Sequence, residues 1–283
     1  VNFSKDTLAV HLNYHKYAYI LLLLIILLNI PVWAGLIYDW LHDDNYSHGF
    51  LILPVSIYLF YRQKRELVFP ARPSRTGILI FAAGCLGLIL GTAAGELFTT
   101  RLAVVLTITG LGLHYLGTDN FKKIWFAFFF LIFMIPIPAI IYHSATLPMQ
   151  LFASKATIFI LHLIGVPSLR QGNIIYLPQY TLEVTEACSG LRSLATLLAL
   201  AALYGNLTLR GWVRPLALFI AAVPIAIIAN IFRLLTTAIG AYAISTSLAE
   251  DFLHELSGLL VFFSALIIIV ILGAILRWPK KRS

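Results

Sequence analysis

VRPLALFIAAVPIAIIANIFRLLTTAI, residues 213–239, decides the fold. The run exceeds the roughly 20 residues that carry a helix across about 30 Å of hydrocarbon, and only a helix satisfies its own backbone hydrogen bonds there. Arg214 stands at its start, while Asn230 and Arg233 lie near its far end. An arginine inside a span costs roughly 2.5 to 3.5 kcal/mol on insertion scales, so its presence points to function or to a place at the rim of the bilayer.

Working outward, comparable apolar runs occupy 17–37, 47–61, 77–95, 102–116, 124–142, 189–204 and 256–276. The chain has 283 residues, 60% of them hydrophobic and 11% charged, with a mean hydropathy of +0.90. A soluble domain could not hide that much apolar surface, so the lipid bilayer is the solvent. The expected fold is an all-α integral membrane protein: one membrane-embedded domain over 1–283, a polytopic bundle of about eight transmembrane helices. A ninth stretch, 147–164, contains Gln150, Ser154, Lys155, Thr157 and His162, and this polarity makes it a weaker candidate for crossing. Residues 166–186 are rich in Gly, Pro, Asn and Tyr and predict an ordered outer loop with a hairpin around Gly172 and Asn173.

Basic residues in short loops set the orientation, because lysine and arginine stay on the cytoplasmic side. Arg62, Lys64, Arg65, Arg72 and Arg75, then Lys122 and Lys123, then Arg210 and Arg214, and finally Arg277, Lys280, Lys281 and Arg282 form four such clusters. With all four inside, both termini are cytoplasmic, and Asp39, Asp43, Asp44, Glu250, Asp251 and Glu255 fall outside. Parity then forbids 147–164 from crossing singly; it is expected to be interfacial or re-entrant on the outer side. The net charge of +8 is accounted for by these topology clusters, so no nucleic-acid partner is expected. The run 17–37 is too long for a cleaved secretory leader and is expected to stay as the first span.

The charge-derived topology brings three polar sites to one membrane face. Cys188 sits at the outer start of the 189–204 span, Asn230 and Arg233 near the outer end of 213–239, and His254 at the outer start of 256–276. A thiol at a helix N-terminus beside a basic group ionises more readily, its pKa falling from about 8.5 into the range of roughly 3.5 to 7.5. Arg192, four residues on, could supply that charge, and Asn230 and Arg233, three apart, share a face. Glu186 could orient a basic group, and His48 could join the site from the second span. Each also has a plain structural reading. Cys188 could pack as a small hydrophobe, Arg233 could reach the interface or pair with a loop acid, and His254, His48 and Glu186 could decorate turns. Cys85 is expected to pack within its span, and Gly84, Gly87, Gly91 and Gly95 to form a close helix contact. Two cysteines at unrelated positions offer neither a disulfide framework nor a metal site, and no cofactor or metal is expected.

EACSGLRSL at 186–194, the NxxR of Asn230 and Arg233, the HxxxG of His254 and Gly258, and YSHGF at 46–50 together resemble the exosortase and archaeosortase superfamily. The resemblance implies a membrane cysteine protease or transpeptidase of the bacterial inner membrane with its active site at the periplasmic face. It implies protein substrates bearing a C-terminal sorting signal of the PEP-CTERM type: a Pro-Glu-Pro motif, a membrane span and a basic tail. It also implies transfer of the product to an acceptor, in cells that often make exopolysaccharide. Three rival readings stand beside it, the last drawing on the exopolysaccharide association that the resemblance implies. A transporter would line a path with Asn230 and Arg233, a thiol-disulfide protein would need a second outer cysteine, and a scaffold for exopolysaccharide assembly would not need the thiol.

Overall fold

The computed structural model describes residues 5–69, 71–184, 191–243 and 252–277; for 5–15, 191–192 and 252–257 it describes the backbone alone. Two compact units result, Val1–Pro138 and Ala139–Ser283.

In the first unit the expected opening span is broken. α1 (Lys5–Leu28) and α2 (Ile30–His42) meet at Asn29, and the stretches Lys16–Leu28 and Ile30–His42 bend by 62°. Pro31 explains the break: it opens α2 and has no N–H for the preceding turn. At the break the Asn29 side chain and backbone N–H both donate to the Ile25 carbonyl, at 2.8 and 3.2 Å. α3 (Gly49–Gln63) follows, then a 3-10 turn at Lys64–Glu66, α4 (Arg75–Ala94) and α5 (Leu97–Phe130).

α5 is two arms. Gly117, at φ 73 and ψ 161, leaves helical geometry, and a side chain there would meet the Arg72 carbonyl at 2.5 Å. Phe128 packs its ring over Gly112, its Cζ 2.7 Å from where a Cβ would stand. In a straight helix those residues would be about 24 Å apart, so the second arm folds back on the first. The runs expected at 102–116 and 124–142 are therefore separated at a single residue. The segment around Val68 packs beside this turn: Asn120 exchanges hydrogen bonds with the Val68 backbone at 2.8 Å each, and the Lys123 ammonium reaches the Glu66 carbonyl at 2.6 Å.

α4 and the first arm of α5 pack so closely that side chains on Gly84, Gly87 and Gly91 would strike Thr107, Ala103 and Thr100. Small residues permit such contact in lipid, where van der Waals packing drives helix association. Gly95 departs from the expected stripe: at φ 67 it ends α4 in the left-handed region, and a side chain there would meet open space. Cys85 is a half-buried free thiol beside that contact.

The run expected at 124–142 ends early. A 3-10 turn at Leu131–Met134 leads into Pro136 and Pro138, which block the helix, and α6 (Ala139–Leu163) begins the second unit. The stretch 147–164 is thus the larger part of one continuous helix. Its Gln150, Ser154 and Thr157 are buried, while Ile140, Phe152, Phe159 and Leu163 are exposed. That inversion of a soluble helix suits lipid outside and polar packing inside.

The expected hairpin forms, as part of a three-stranded antiparallel sheet: β1 (Leu169–Gln171), β2 (Ile174–Tyr176) and β3 (Thr181–Glu183). Gln171 pairs with Ile174 across Gly172 and Asn173, and Gly172 takes the positive φ of 64 that such a turn needs. Ile175, Leu182 and Val184 bury against Leu161 of α6 and against Leu234 and Ala238 of α8 (Val213–Ala243). A second core joins Leu197 and Ala201 of α7 (Leu191–Thr208), Ala222 and Ala226 of α8, and Ala265 and Ile269 of α9 (Phe252–Arg277).

Among the described residues four helices are long and apolar enough to cross a membrane, or five if the bent α1–α2 pair is one span. That is fewer than the eight expected. α3 has only 15 residues, α7 is fully described only over Ser193–Thr208, and α5 enters as one helix although Gly117 divides it into two arms.

Candidate functional site

α8 carries Asn230 and Arg233 on one face in its C-terminal part. Asn230 is 5% exposed and Arg233 half-buried. One turn further, the Thr236 hydroxyl donates to the Arg233 carbonyl at 2.8 Å. α9 crosses here with Gly258 facing the guanidinium: a Cβ built on Gly258 would stand 3.5 Å from Cζ, 3.6 Å from Nη2 and 3.7 Å from Nε of Arg233. Lacking a side chain, Gly258 lets the planar cation lie close to the α9 backbone. Residue 254 is one turn earlier, about 6 Å along the axis, on the same helix face by periodicity. The NxxR and HxxxG motifs, distant in sequence, are therefore neighbours.

α7 packs against both α8 and α9. At the opposite end Gly205 meets Pro215 and Tyr204 meets Gly273. Leu191, the first residue of α7, lies 14 residues back along that helix from Gly205, about 21 Å along its axis. Arg192 lies in that first turn, with its backbone alone described; Cys188 and Glu186 lie outside the described residues.

A cavity of about 170 Å³ opens between α6 and α8, lined by Pro148, Met149, Phe152, Ala153, Ile227 and Asn230. Sequence reasoning missed it, because it depends on how two helices pack. Among the described residues no group of three His, Cys, Asp or Glu could hold a metal ion.

A model of the transmembrane exosortase family matches residues 40–271. The chain belongs to that family. No curated protein and no solved structure matches the chain. In this exosortase the matched range takes in all the candidate residues: His48, Glu186, Cys188, Arg192, Asn230, Arg233 and His254.

His48 belongs to the first unit. The exosortase starts α3 at Gly49, so His48 falls in the preceding turn, outside the helix. Burial lowers its pKa from the ordinary 6.5, against the opposing effect of hydrogen bonds with the Phe133 and Asn45 backbone. Close by in sequence, Trp40 donates from Nε1 to the Met134 carbonyl at 3.0 Å.

A buried ion pair escaped the sequence reading. Arg101 of α5, 5% exposed, meets Asp39 of α2 at 2.7 Å. An arginine directly abutting the 102–116 run was the signal, whereas Asp39 was expected only among the acidic residues outside.

Proposed function

We propose that this exosortase is a membrane cysteine peptidase or transpeptidase that cleaves C-terminal sorting signals of the PEP-CTERM type at the periplasmic face of a bacterial inner membrane. Family membership supports the reaction class, and the observation that carries the site is the Arg233 guanidinium lying on Gly258, one turn from His254. Eight crossings follow if α1–α2 counts once, each arm of α5 once, and α3, α4, α7, α8 and α9 once each, with α6 on the outer side. Both termini are then cytoplasmic.

The Cys188 thiolate attacks the carbonyl carbon of the scissile peptide bond, and the oxyanion that forms is held by Arg233. Collapse of the tetrahedral species breaks the C–N bond as the His254 imidazolium protonates the departing amine. A thioester with the N-terminal product remains on Cys188. His254 then takes a proton from the second nucleophile, whose attack releases the product and restores the thiolate. Water at that step gives hydrolysis; an acceptor amine or hydroxyl gives transfer. Arg192 and Glu186 set charge around the thiol, and Asn230 supports the substrate.

Replacement of Cys188, Arg233 or His254 by Ala, with processing of a sorting-signal protein followed in membranes, tests the assignment. Each variant is expected to lose cleavage by at least about 100-fold. Unchanged cleavage by Cys188→Ala would leave a non-peptidase membrane subunit as the better description.

A further inference from the structure

Resting on the peptidase assignment above, we infer that the cavity between α6 and α8 is the specificity pocket for one compact apolar side chain of the substrate, beside the scissile bond. Its volume, about 170 Å³, is below the roughly 300 to 1,000 Å³ of sites that take whole small ligands. A single side chain of the size of valine, leucine or proline suits it. Pro148, Met149, Phe152, Ala153 and Ile227 give an apolar wall, and Asn230 adds the polar edge.

Position makes it a subsite. Asn230 lines the cavity and precedes Arg233 by three residues, about 4.5 Å along the helix axis. A substrate residue whose side chain fills the cavity keeps its own backbone within reach of the guanidinium. Its peptide carbonyl then falls where an oxyanion would be stabilised. The wall is also held in place from behind. Ala153 belongs to the core shared by α6, α8 and the sheet, and the Ser154 hydroxyl donates to the Gly172 carbonyl of the hairpin at 3.1 Å. A preformed wall discriminates by size, since one methylene too many or too few is worth roughly 10- to 200-fold.

The test uses full-length protein in membranes and sorting-signal substrates in which each residue flanking the cleaved bond is Ala, Val, Leu or Trp. At one flanking position the native protein is expected to favour Val or Leu over Trp by at least about tenfold. Ile227→Ala should move the preference towards bulkier residues, and Ile227→Phe towards Ala. A second readout needs no turnover. In Cys188→Ala protein, a photo-reactive leucine at that flanking position should crosslink to Met149, Phe152 or Ile227. Cleavage with an unaltered size profile in both variants, and crosslinks elsewhere, overturns the pocket and leaves the peptidase standing. Crosslinks at the pocket with no cleavage by native protein support the pocket and overturn the peptidase.

Discussion

The Arg233 guanidinium rests on Gly258 at a distance where one methyl group is tolerated and a larger side chain is not. A Cβ at Gly258 would contact Cζ at 3.5 Å, ordinary van der Waals separation. Gly258→Ala is therefore expected to keep cleavage within about threefold, whereas Gly258→Leu displaces the cation and lowers cleavage by at least about tenfold. Thermal unfolding in detergent should show both variants folded. Equal activity of the Leu variant and native protein would detach Gly258 from the site.

Gly117 makes the fold-back of α5 possible. Its φ and ψ of 73 and 161 belong to a region open essentially to glycine, and the Arg72 carbonyl blocks a side chain. Gly117→Ala should destabilise by about 1–3 kcal/mol, read as a lowered unfolding midpoint. No change would mean that the two arms do not turn there.

Breaking the buried pair should cost more than removing it. Asp39→Ala leaves Arg101 desolvated without its carboxylate, an effect of about 2–3 kcal/mol since Asp39 is 31% exposed. Asp39→Leu with Arg101→Met should recover much of that loss. Strictly additive losses in the double variant would argue against coupling.

His48 gives a pH dependence of defined sign. Burial lowers its folded-state pKa below 6.5, so the unfolded chain binds the proton more readily. The resulting stability is full above about pH 6.5 and declines as pH falls from there towards the folded-state value. Unfolding midpoints should fall between pH 7 and 5, and less steeply in His48→Gln. Identical slopes would remove His48 as the source.

The sequence carried local features well and packing poorly. The hairpin at Gly172 and Asn173 was legible because the turn depends on those two residues alone. The glycine contact was legible at Gly84, Gly87 and Gly91 from their spacing, but not the role of Gly95, where a helix ends one residue earlier. Hydropathy ran straight through Asn29 and through Pro136 and Pro138, since an apolar average does not register a missing N–H. The Arg101–Asp39 pair and the α6–α8 cavity join residues far apart in the chain, and no local pattern encodes them. Of the candidate residues, Arg233 meets the His254 helix at Gly258, and Asn230 precedes Arg233 by one turn on α8. Glu186 and Cys188 fall in 185–190, outside the described residues.

The central claim is that Cys188 becomes acylated by the substrate. Native protein incubated with a sorting-signal substrate, quenched in acid and digested, should yield by mass spectrometry a Cys188 peptide carrying the N-terminal product as a hydroxylamine-labile thioester, absent from Cys188→Ala. Cleavage at the native rate by Cys188→Ala, with no adduct on any residue, would contradict it.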